Sequence, residues 1–230
     1  FFAKNSNPAQ TQYMAFYQSK NKDLKLKQSF IPIDSISKHL KFAVLYVEDA
    51  GFYQHPGVDL AAILQALETN KRRGKKAHGG STITQQMAKN LFSNAEKTFT
   101  RKAKEFIFSL LMEKQLGKDR ILELYLNYAQ WGKDVFGCQE AAKKYYNKNC
   151  ARLTLSESIE LAVVLANPIR YRPGQRKSKV LAQRRRIIIE NLYQMKKISL
   201  ETFINWTGDR PRSVKDSLYK ESIKKVEVLP

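Results

Sequence analysis

The sequence predicts an all-α fold, and three observations support this. Apolar residues recur at three- and four-residue spacing in several stretches, as they do on one face of an amphipathic helix. Glycine and proline separate these stretches, and alternating patterns of useful strand length are missing from the sequence. The chain has 230 residues, of which 43% are hydrophobic, enough for one sizeable core or two small ones. We therefore expect one mainly helical domain, with room for two lobes around a cleft.

Four helical stretches follow one another along the chain. Their apolar residues are Ile36, Leu40, Ala43, Val44 and Val47, then Leu60 to Leu67, then Phe106 to Met112, then Ile121, Leu122, Tyr125 and Leu126. Glycine and proline between them keep the connections short, and no low-complexity linker divides the chain. The longest apolar run falls well short of the roughly 18 residues that a membrane-spanning helix needs.

The charge of the chain is strongly positive. There are 41 Lys and Arg residues against 21 Asp and Glu residues, which gives a net charge of +20. Nucleic acid, an anionic membrane surface and a phosphorylated substrate would all be attracted by such a charge. A nucleic-acid partner is disfavoured, because the sequence has no recognisable binding module and its basic helix lacks the interleaved aromatic residues of a stacking platform.

Common catalytic motifs are missing. The sequence has no dinucleotide-binding or phosphate-binding glycine motif, no His-Glu-x-x-His zinc motif and no Gly-x-Ser-x-Gly nucleophile motif. Nucleophilic cysteine or serine catalysis has no visible base partner. A mechanism based on carboxylates is what remains.

The two cysteines, Cys138 and Cys150, are too few for a disulfide framework and lack the spacing of a metal site. If the stretch from Cys138 to Tyr146 is helical, twelve residues of rise would separate the sulfurs by roughly 18 Å, too far for a disulfide. We therefore expect two free thiols. A chain reversal between Asn147 and Asn149 would overturn this separation.

The first candidate segment runs from Glu48 to Asp59. Glu48 and Asp49 follow a strongly apolar stretch, so Glu48 is expected where a buried helix opens into a loop, a good position for a chemically active carboxylate. A purely structural alternative is a helix end that Asp49 and His55 hold by hydrogen bonds to the loop. We expect both, with Asp49 and His55 structural and Glu48 chemical.

Two further segments carry polar residues. In the segment from Gly79 to Asn90, two glycines precede a helix start at which Thr82 and Gln85 have the spacing of a capping box. In the other, Arg101 and Glu105 stand four residues apart. This pair is either an exposed ion pair of little energetic value or a carboxylate among cations that faces a cleft.

Together, in this order and spacing, the three segments resemble the glycosyltransferase family 51 domain, which polymerises peptidoglycan. The resemblance continues through Lys118 to Asn127 and the arginine-rich stretch from Pro173 to Met195, and covers roughly residues 33–195. Among its members, the chain is most similar to the monofunctional Gram-negative type. The family implies an all-α, lysozyme-like, bilobed helical fold with a small membrane-facing lobe. The substrate it implies is lipid II, which is added to the nascent glycan strand with inversion and release of undecaprenyl diphosphate.

The resemblance also implies roles for individual residues. Glu48 matches the catalytic general base, and Glu105 matches a second catalytic glutamate that helps the diphosphate leave, directly or through a divalent cation such as Mg²⁺ or Mn²⁺. The positions that match substrate-binding residues are Asp49, Ser81, Thr82, Gln85, Gln86, Lys89, Lys97, Arg101 and Lys102. Lys97 departs from the family, which commonly has arginine there, so a point charge replaces a bidentate group. Glu123, Tyr125 and Asn127 are expected to brace the cleft as scaffold.

The resemblance sets expectations for organisation and location too. We expect residues 1–32 to follow a membrane anchor that precedes Phe1, and residues 33–230 to form the glycosyltransferase domain. The protein would then be anchored in the inner membrane by one span, with its catalytic domain in the periplasm. An anionic membrane surface and other cell-wall synthesis proteins are candidate partners. The alternatives are a muramidase-like hydrolase on the same scaffold and a non-catalytic scaffold module.

Overall fold

The computed structural model describes residues 2–74, 80–92 and 99–212, except for the side chains of Phe2, Arg73, Phe99 and Thr100. Over these ranges it has ten α-helices and three short 3-10 turns but no β-strand, so the all-α prediction is confirmed. The helices are α1 (Gln12–Lys20), α2 (Lys38–Glu48), α3 (Leu60–Arg73), α4 (Ile83–Phe92), α5 (Phe99–Leu116), α6 (Lys118–Tyr128), α7 (Cys138–Tyr146), α8 (Leu155–Val164), α9 (Lys179–Gln194) and α10 (Leu200–Thr207). Gly79 and Lys97 lie outside the described residues.

The chain divides into two compact units, Phe1–Gly174 and Gln175–Pro230. In the first unit, α4 packs against α1, α5 and α6, and α2 packs against α8. In the second, α9 packs against α10, with the rings of Tyr193 and Phe203 5.5 Å apart. The expected division between residues 32 and 33, the bilobed arrangement and the membrane-facing lobe stay predictions.

The central helix of the first unit is α6. Its side chains from Leu124 to Tyr128 are all buried, as are Ile121 and Leu122. From Ile121 onward only Glu123 of this helix is not buried, so protein surrounds this part of α6 on nearly every side. α6 is therefore a rigid support for residues that reach from it toward neighbouring helices.

The apolar periodicity of α3 and α5 predicts helices correctly, but part of it faces solvent. In α3, Leu60, Leu64 and Leu67 are 66%, 67% and 60% exposed, and their spacing puts them on one face. α5 exposes a similar stripe, made up of Phe106, Ile107, Leu110 and Leu111. Among the described residues, no helix is long and apolar enough to cross a membrane.

A buried carboxylate ties the loop after α2 to the start of α4. The side chain of Asp49 is 3% exposed, and its two oxygens lie 2.9 and 3.1 Å from His55 Nε2. Asp49 Oδ2 also accepts a hydrogen bond from the Ile83 backbone N–H at 2.9 Å. The backbone N–H of Gly57 donates to His55 Nδ1 at 3.1 Å, so the proton of this imidazole is on Nε2, facing Asp49. The structural role expected for Asp49 and His55 is thus present.

Gly57 has to be a glycine for this junction to form. Its φ is +93°, and a Cβ there would lie 2.7 Å from Glu113 Cγ in α5. The Gly57 carbonyl accepts a hydrogen bond from Thr82 Oγ1 at 2.6 Å. The loop is therefore fastened to the residues before α4 as well as to the helix itself.

The expected separation of the two cysteines is wrong. Asn147 adopts a left-handed conformation after α7, with φ of 52°, and the chain turns back toward that helix. Cys150 then donates its backbone N–H to Gln139 Oε1 at 3.0 Å, and its thiol interacts with the thiol of Cys138. Both cysteines are buried free thiols, and burial, with the Cys150 contact, raises the pKa of the Cys138 thiol.

Replacing Asp49 by alanine should lower the free energy of unfolding by about 3 kcal/mol, because it leaves the buried Ile83 N–H and His55 Nε2–H without an acceptor. Asp134 is a suitable control, since its carboxylate pairs with Lys144 at the surface. Asp134→Ala should cost less than about 1 kcal/mol. Urea unfolding followed by circular dichroism measures both, and equal losses would contradict the role given to Asp49.

Candidate active site

Two half-buried side chains on one face of α4 organise the site. Gln86 and Lys89 are three residues apart, about one helical turn, so they point to the same side. Gln86 hydrogen-bonds Glu48, and Lys89 interacts with Glu105. α4 thus carries one residue that hydrogen-bonds Glu48 and another whose charge interacts with that of Glu105.

Glu48 is the last residue of α2 and is half-buried. Gln86 Nε2 donates a hydrogen bond to Glu48 Oε2 at 2.9 Å. Gln86 Oε1 in turn accepts one from the Tyr125 hydroxyl of α6 at 3.0 Å. The Glu48 carboxylate is therefore held in position by a neutral donor, and a carboxylate so held can accept a proton.

Glu105 lies in the second turn of α5 and is only 3% exposed. Arg101 donates a hydrogen bond to Glu105 Oε1, and Lys102 Nζ lies 3.4 Å from Glu105 Oε2. The spacings of four and three residues bring these charges together on one side of the helix. The interpretation of Arg101 and Glu105 as an exposed ion pair is wrong, because the carboxylate is withdrawn from water.

Lys89 belongs with these residues because the charges of Glu105, Arg101 and Lys102 all act on its pKa. We call the four residues the cation cluster: Lys89, Arg101 and Lys102 with Glu105. Three cations and one carboxylate give it a formal charge of +2. Burial lowers the pKa of the Lys89 ammonium, Glu105 raises it, and Arg101 and Lys102 lower it further. An anion bound here would favour the charged form of Lys89, so the cluster suits a ligand with two or more negative charges.

The polar residues before α4 divide into two kinds. Ser81 is half-buried and accepts a hydrogen bond from Lys102 Nζ at 3.3 Å, so it borders the cation cluster. Thr82 and Gln85 are each 3% exposed and form the capping box that their spacing predicts, with bonds of 3.1 Å in both directions. These bonds cap α4 and do not involve a substrate. Substrate binding by Thr82 and Gln85 therefore stays a prediction.

The two glycines before α4 are expected to allow another group to approach the backbone closely. At Gly80 that group is the backbone of α3. A Cβ on Gly80 would lie 2.9 Å from the Ile63 Cα atom, in the backbone of α3. Gly80 therefore lets the segment before α4 contact α3. The sequence motif alone did not show whether a ligand or another helix comes this close.

Two residues near the site were missed as site residues. The Tyr13 ring of α1 lies 5.7 Å from Lys89 Nζ, and Tyr125 was expected only to brace the cleft. Tyr13 stands outside the segments that carry the family resemblance, so no motif pointed to it. Tyr125 fits the apolar periodicity of a helix, so the sequence does not show that its hydroxyl hydrogen-bonds Gln86.

Among the described residues, no group of three or more His, Cys, Asp and Glu residues is placed to hold a metal ion. Glu105, the residue expected to contact a divalent cation, is paired with Arg101 and Lys102. A hard divalent cation takes six or more oxygen ligands. The described protein groups therefore do not form a complete metal site by themselves.

Comparison with known proteins agrees with this geometry. Residues 15–193 match a family model described as "Transglycosylase". The "Biosynthetic peptidoglycan transglycosylase" of Aromatoleum aromaticum is 44% identical over 169 residues, 72% of this chain and 74% of the relative. The proteins of the same name from Janthinobacterium sp. and Thiobacillus denitrificans are each 41% identical, over 82% and 80% of this chain and 83% and 80% of their own lengths. The chain belongs to the transglycosylase family of peptidoglycan synthesis, glycosyltransferase family 51.

Proposed function

We propose that this chain polymerises lipid II into β-1,4-linked glycan strands, with Glu48 as the general base. The chain is a peptidoglycan glycosyltransferase, as its family and the names of its relatives indicate. The observation that best supports the proposed chemistry is the arrangement on α4. Gln86 holds a carboxylate, and one turn further Lys89 joins a cluster with a charge of +2.

In the proposed reaction, Glu48 takes the proton from the 4-hydroxyl of the incoming lipid II. The hydroxyl oxygen attacks the anomeric carbon of the growing chain from the face opposite the diphosphate. The bond between that carbon and the diphosphate oxygen breaks, and inversion converts an α-linked donor into a β-1,4 linkage. Undecaprenyl diphosphate leaves with its electron pair, so it needs no proton from an acid, in contrast to a hydrolase that protonates its leaving group.

The cation cluster is suited to the leaving group. Negative charge grows on the diphosphate as the bond breaks, and cations already in place stabilise it without reorganising. Glu105 keeps Arg101 and Lys102 beside each other, although the two cations repel. We assign Glu105 this organising role, and Lys89, Arg101 and Lys102 the contacts with the diphosphate. Contact of Ser81, Gln86 and Lys97 with the donor sugar or diphosphate stays a prediction.

The exposed apolar stripes of α3 and α5 support membrane contact. Exposed apolar faces of this kind mark interaction surfaces, and Lys71 and Arg72 close to the end of α3 would be attracted to anionic headgroups. Lipid II itself is held in a bilayer by its undecaprenyl chain. We propose that these stripes enter the interface of an anionic membrane while the site acts on its surface.

Peptidoglycan synthesis of this kind places the catalytic domain outside the cytoplasm. A single membrane anchor in the inner membrane, before residue 1, remains a prediction from the family resemblance. Association with other cell-wall synthesis proteins also remains a prediction.

Glu48→Gln should reduce lipid II polymerisation by at least about 100-fold, because the amide cannot take the acceptor proton. The hydrogen-bonding shape of the side chain is kept, so the melting temperature should stay close to that of the wild type. The measurement is the glycan ladder formed from labelled lipid II on a gel.

Glu157→Gln is the matched control, since Glu157 belongs to the capping box of α8 and glutamine is also accepted there. It should polymerise lipid II like the wild type. Ladders of normal intensity from Glu48→Gln would refute Glu48 as the base. Short fragments released from mature glycan by the wild type would favour the hydrolase.

Leu64→Glu should weaken binding to vesicles that contain phosphatidylglycerol by about tenfold, because it removes a leucine from the α3 stripe and adds a negative charge. Ile169→Glu is the control, since Ile169 is 54% exposed and lies outside both stripes. Co-sedimentation at several salt concentrations measures both. Equal losses in the two variants would contradict a specific contact through α3.

We propose that Mg²⁺ or Mn²⁺ binds at Glu105 only together with a diphosphate, which supplies the oxygen ligands that the described residues lack. Equilibrium dialysis with geranyl diphosphate should show Mn²⁺ retention by the wild type that falls about tenfold in Glu105→Gln. Glu140→Gln, which changes a carboxylate paired with Lys143, should not alter retention. Equal retention by Glu105→Gln and the wild type would exclude Glu105 as a ligand.

A further inference from the structure

Tyr125 is connected to the proposed base through one amide. Its hydroxyl donates to Gln86 Oε1 at 3.0 Å, and Gln86 Nε2 donates to Glu48 Oε2 at 2.9 Å. We infer that Tyr125 is a positioning residue, which orients the Glu48 carboxylate for proton transfer by fixing the Gln86 amide. This inference rests on the proposed role of Glu48 as the general base.

The direction of the two bonds follows from the chemistry of the three groups. An ionised carboxylate only accepts hydrogen bonds, so Gln86 has to turn its NH₂ group toward Glu48. The amide oxygen then faces the other way and needs a donor, which the Tyr125 hydroxyl supplies. A reversed amide would put its oxygen against the carboxylate, and the two would repel. Successive bonds that point the same way also polarise and strengthen one another.

Tyr125 can hold the amide because its own position is fixed. It is 2% exposed, and its neighbours Leu124 and Leu126 are fully buried in α6. Glu48 and Gln86, by contrast, are half-buried residues with flexible side chains. Tyr125 is therefore the rigid end of the chain of bonds. Through Gln86 it restricts the position of the Glu48 carboxylate.

The effect on catalysis should be selective. In these two hydrogen bonds Tyr125 acts on Glu48 through the Gln86 amide, so loss of its hydroxyl should disorder the base rather than the binding of lipid II. A misplaced base slows proton transfer while leaving ground-state binding almost unchanged. Loss of the hydroxyl should therefore lower kcat and spare KM.

The test is Tyr125→Phe, which removes only the hydroxyl. Steady-state polymerisation of lipid II should show kcat lowered by about tenfold and KM changed less than about twofold. Tyr128→Phe is the matched control: Tyr128 is 1% exposed on the same helix, and its hydroxyl donates to the Pro8 carbonyl at 2.6 Å. This control should keep the wild-type kcat even if both variants lose similar thermal stability.

A double-mutant cycle separates positioning from a general structural effect. Gln86→Leu should lower kcat, and adding Tyr125→Phe to it should cause no further fall, because the bond it removes is already lost. Independent, multiplicative losses would overturn the inference, as would a wild-type kcat in Tyr125→Phe or an equal loss of kcat in Tyr128→Phe. If Glu48→Gln is inactive and Tyr125→Phe is not impaired, only this inference fails. An active Glu48→Gln would remove the proposed function as well.

Discussion

The site depends on the contact between the Asp49 carboxylate and the first residues of α4. That contact fixes the distance between the end of α2 and the start of α4, because Asp49 follows α2 directly and accepts from the Ile83 N–H. Glu48 is the residue before Asp49, and Gln86 is one turn after Ile83. One buried carboxylate therefore places the proposed base beside the amide that holds it. A water-filled gap at this junction would separate the two residues even if every helix still formed.

α4 then sets the separation between the proposed base, Glu48, and the cation cluster. Gln86 and Lys89 are separated by about 4.5 Å of helical rise, so a base and a diphosphate site on either side of one glycosidic linkage can share one helix. The net charge of +20 includes cations with two different proposed roles. Lys89, Arg101 and Lys102 act on the buried Glu105 carboxylate, and the many other cations of the chain favour an anionic membrane.

Features set by local sequence were predicted well. Helices α2, α3, α5 and α6 follow from apolar spacing, and the capping box of Thr82 and Gln85 follows from residue types and their spacing. Features set by tertiary contact were not. Apolar spacing shows that one face of α3 is apolar but not what covers it, and the four-residue spacing of Arg101 and Glu105 does not show that this carboxylate is buried. Likewise, the contact of Cys138 with Cys150 required the left-handed turn at Asn147, which asparagine permits but does not dictate.

The central claim is that one face of α4 holds the base at one end and the leaving diphosphate at the other. The most direct measurement is a crystal structure of the Glu48→Gln variant with a lipid II analogue in the donor and acceptor positions. The account predicts the acceptor 4-hydroxyl within hydrogen-bonding distance of residue 48 and the donor diphosphate in contact with Lys89, Arg101 and Lys102. A diphosphate bound away from these three cations, or an acceptor hydroxyl out of reach of residue 48, would contradict it.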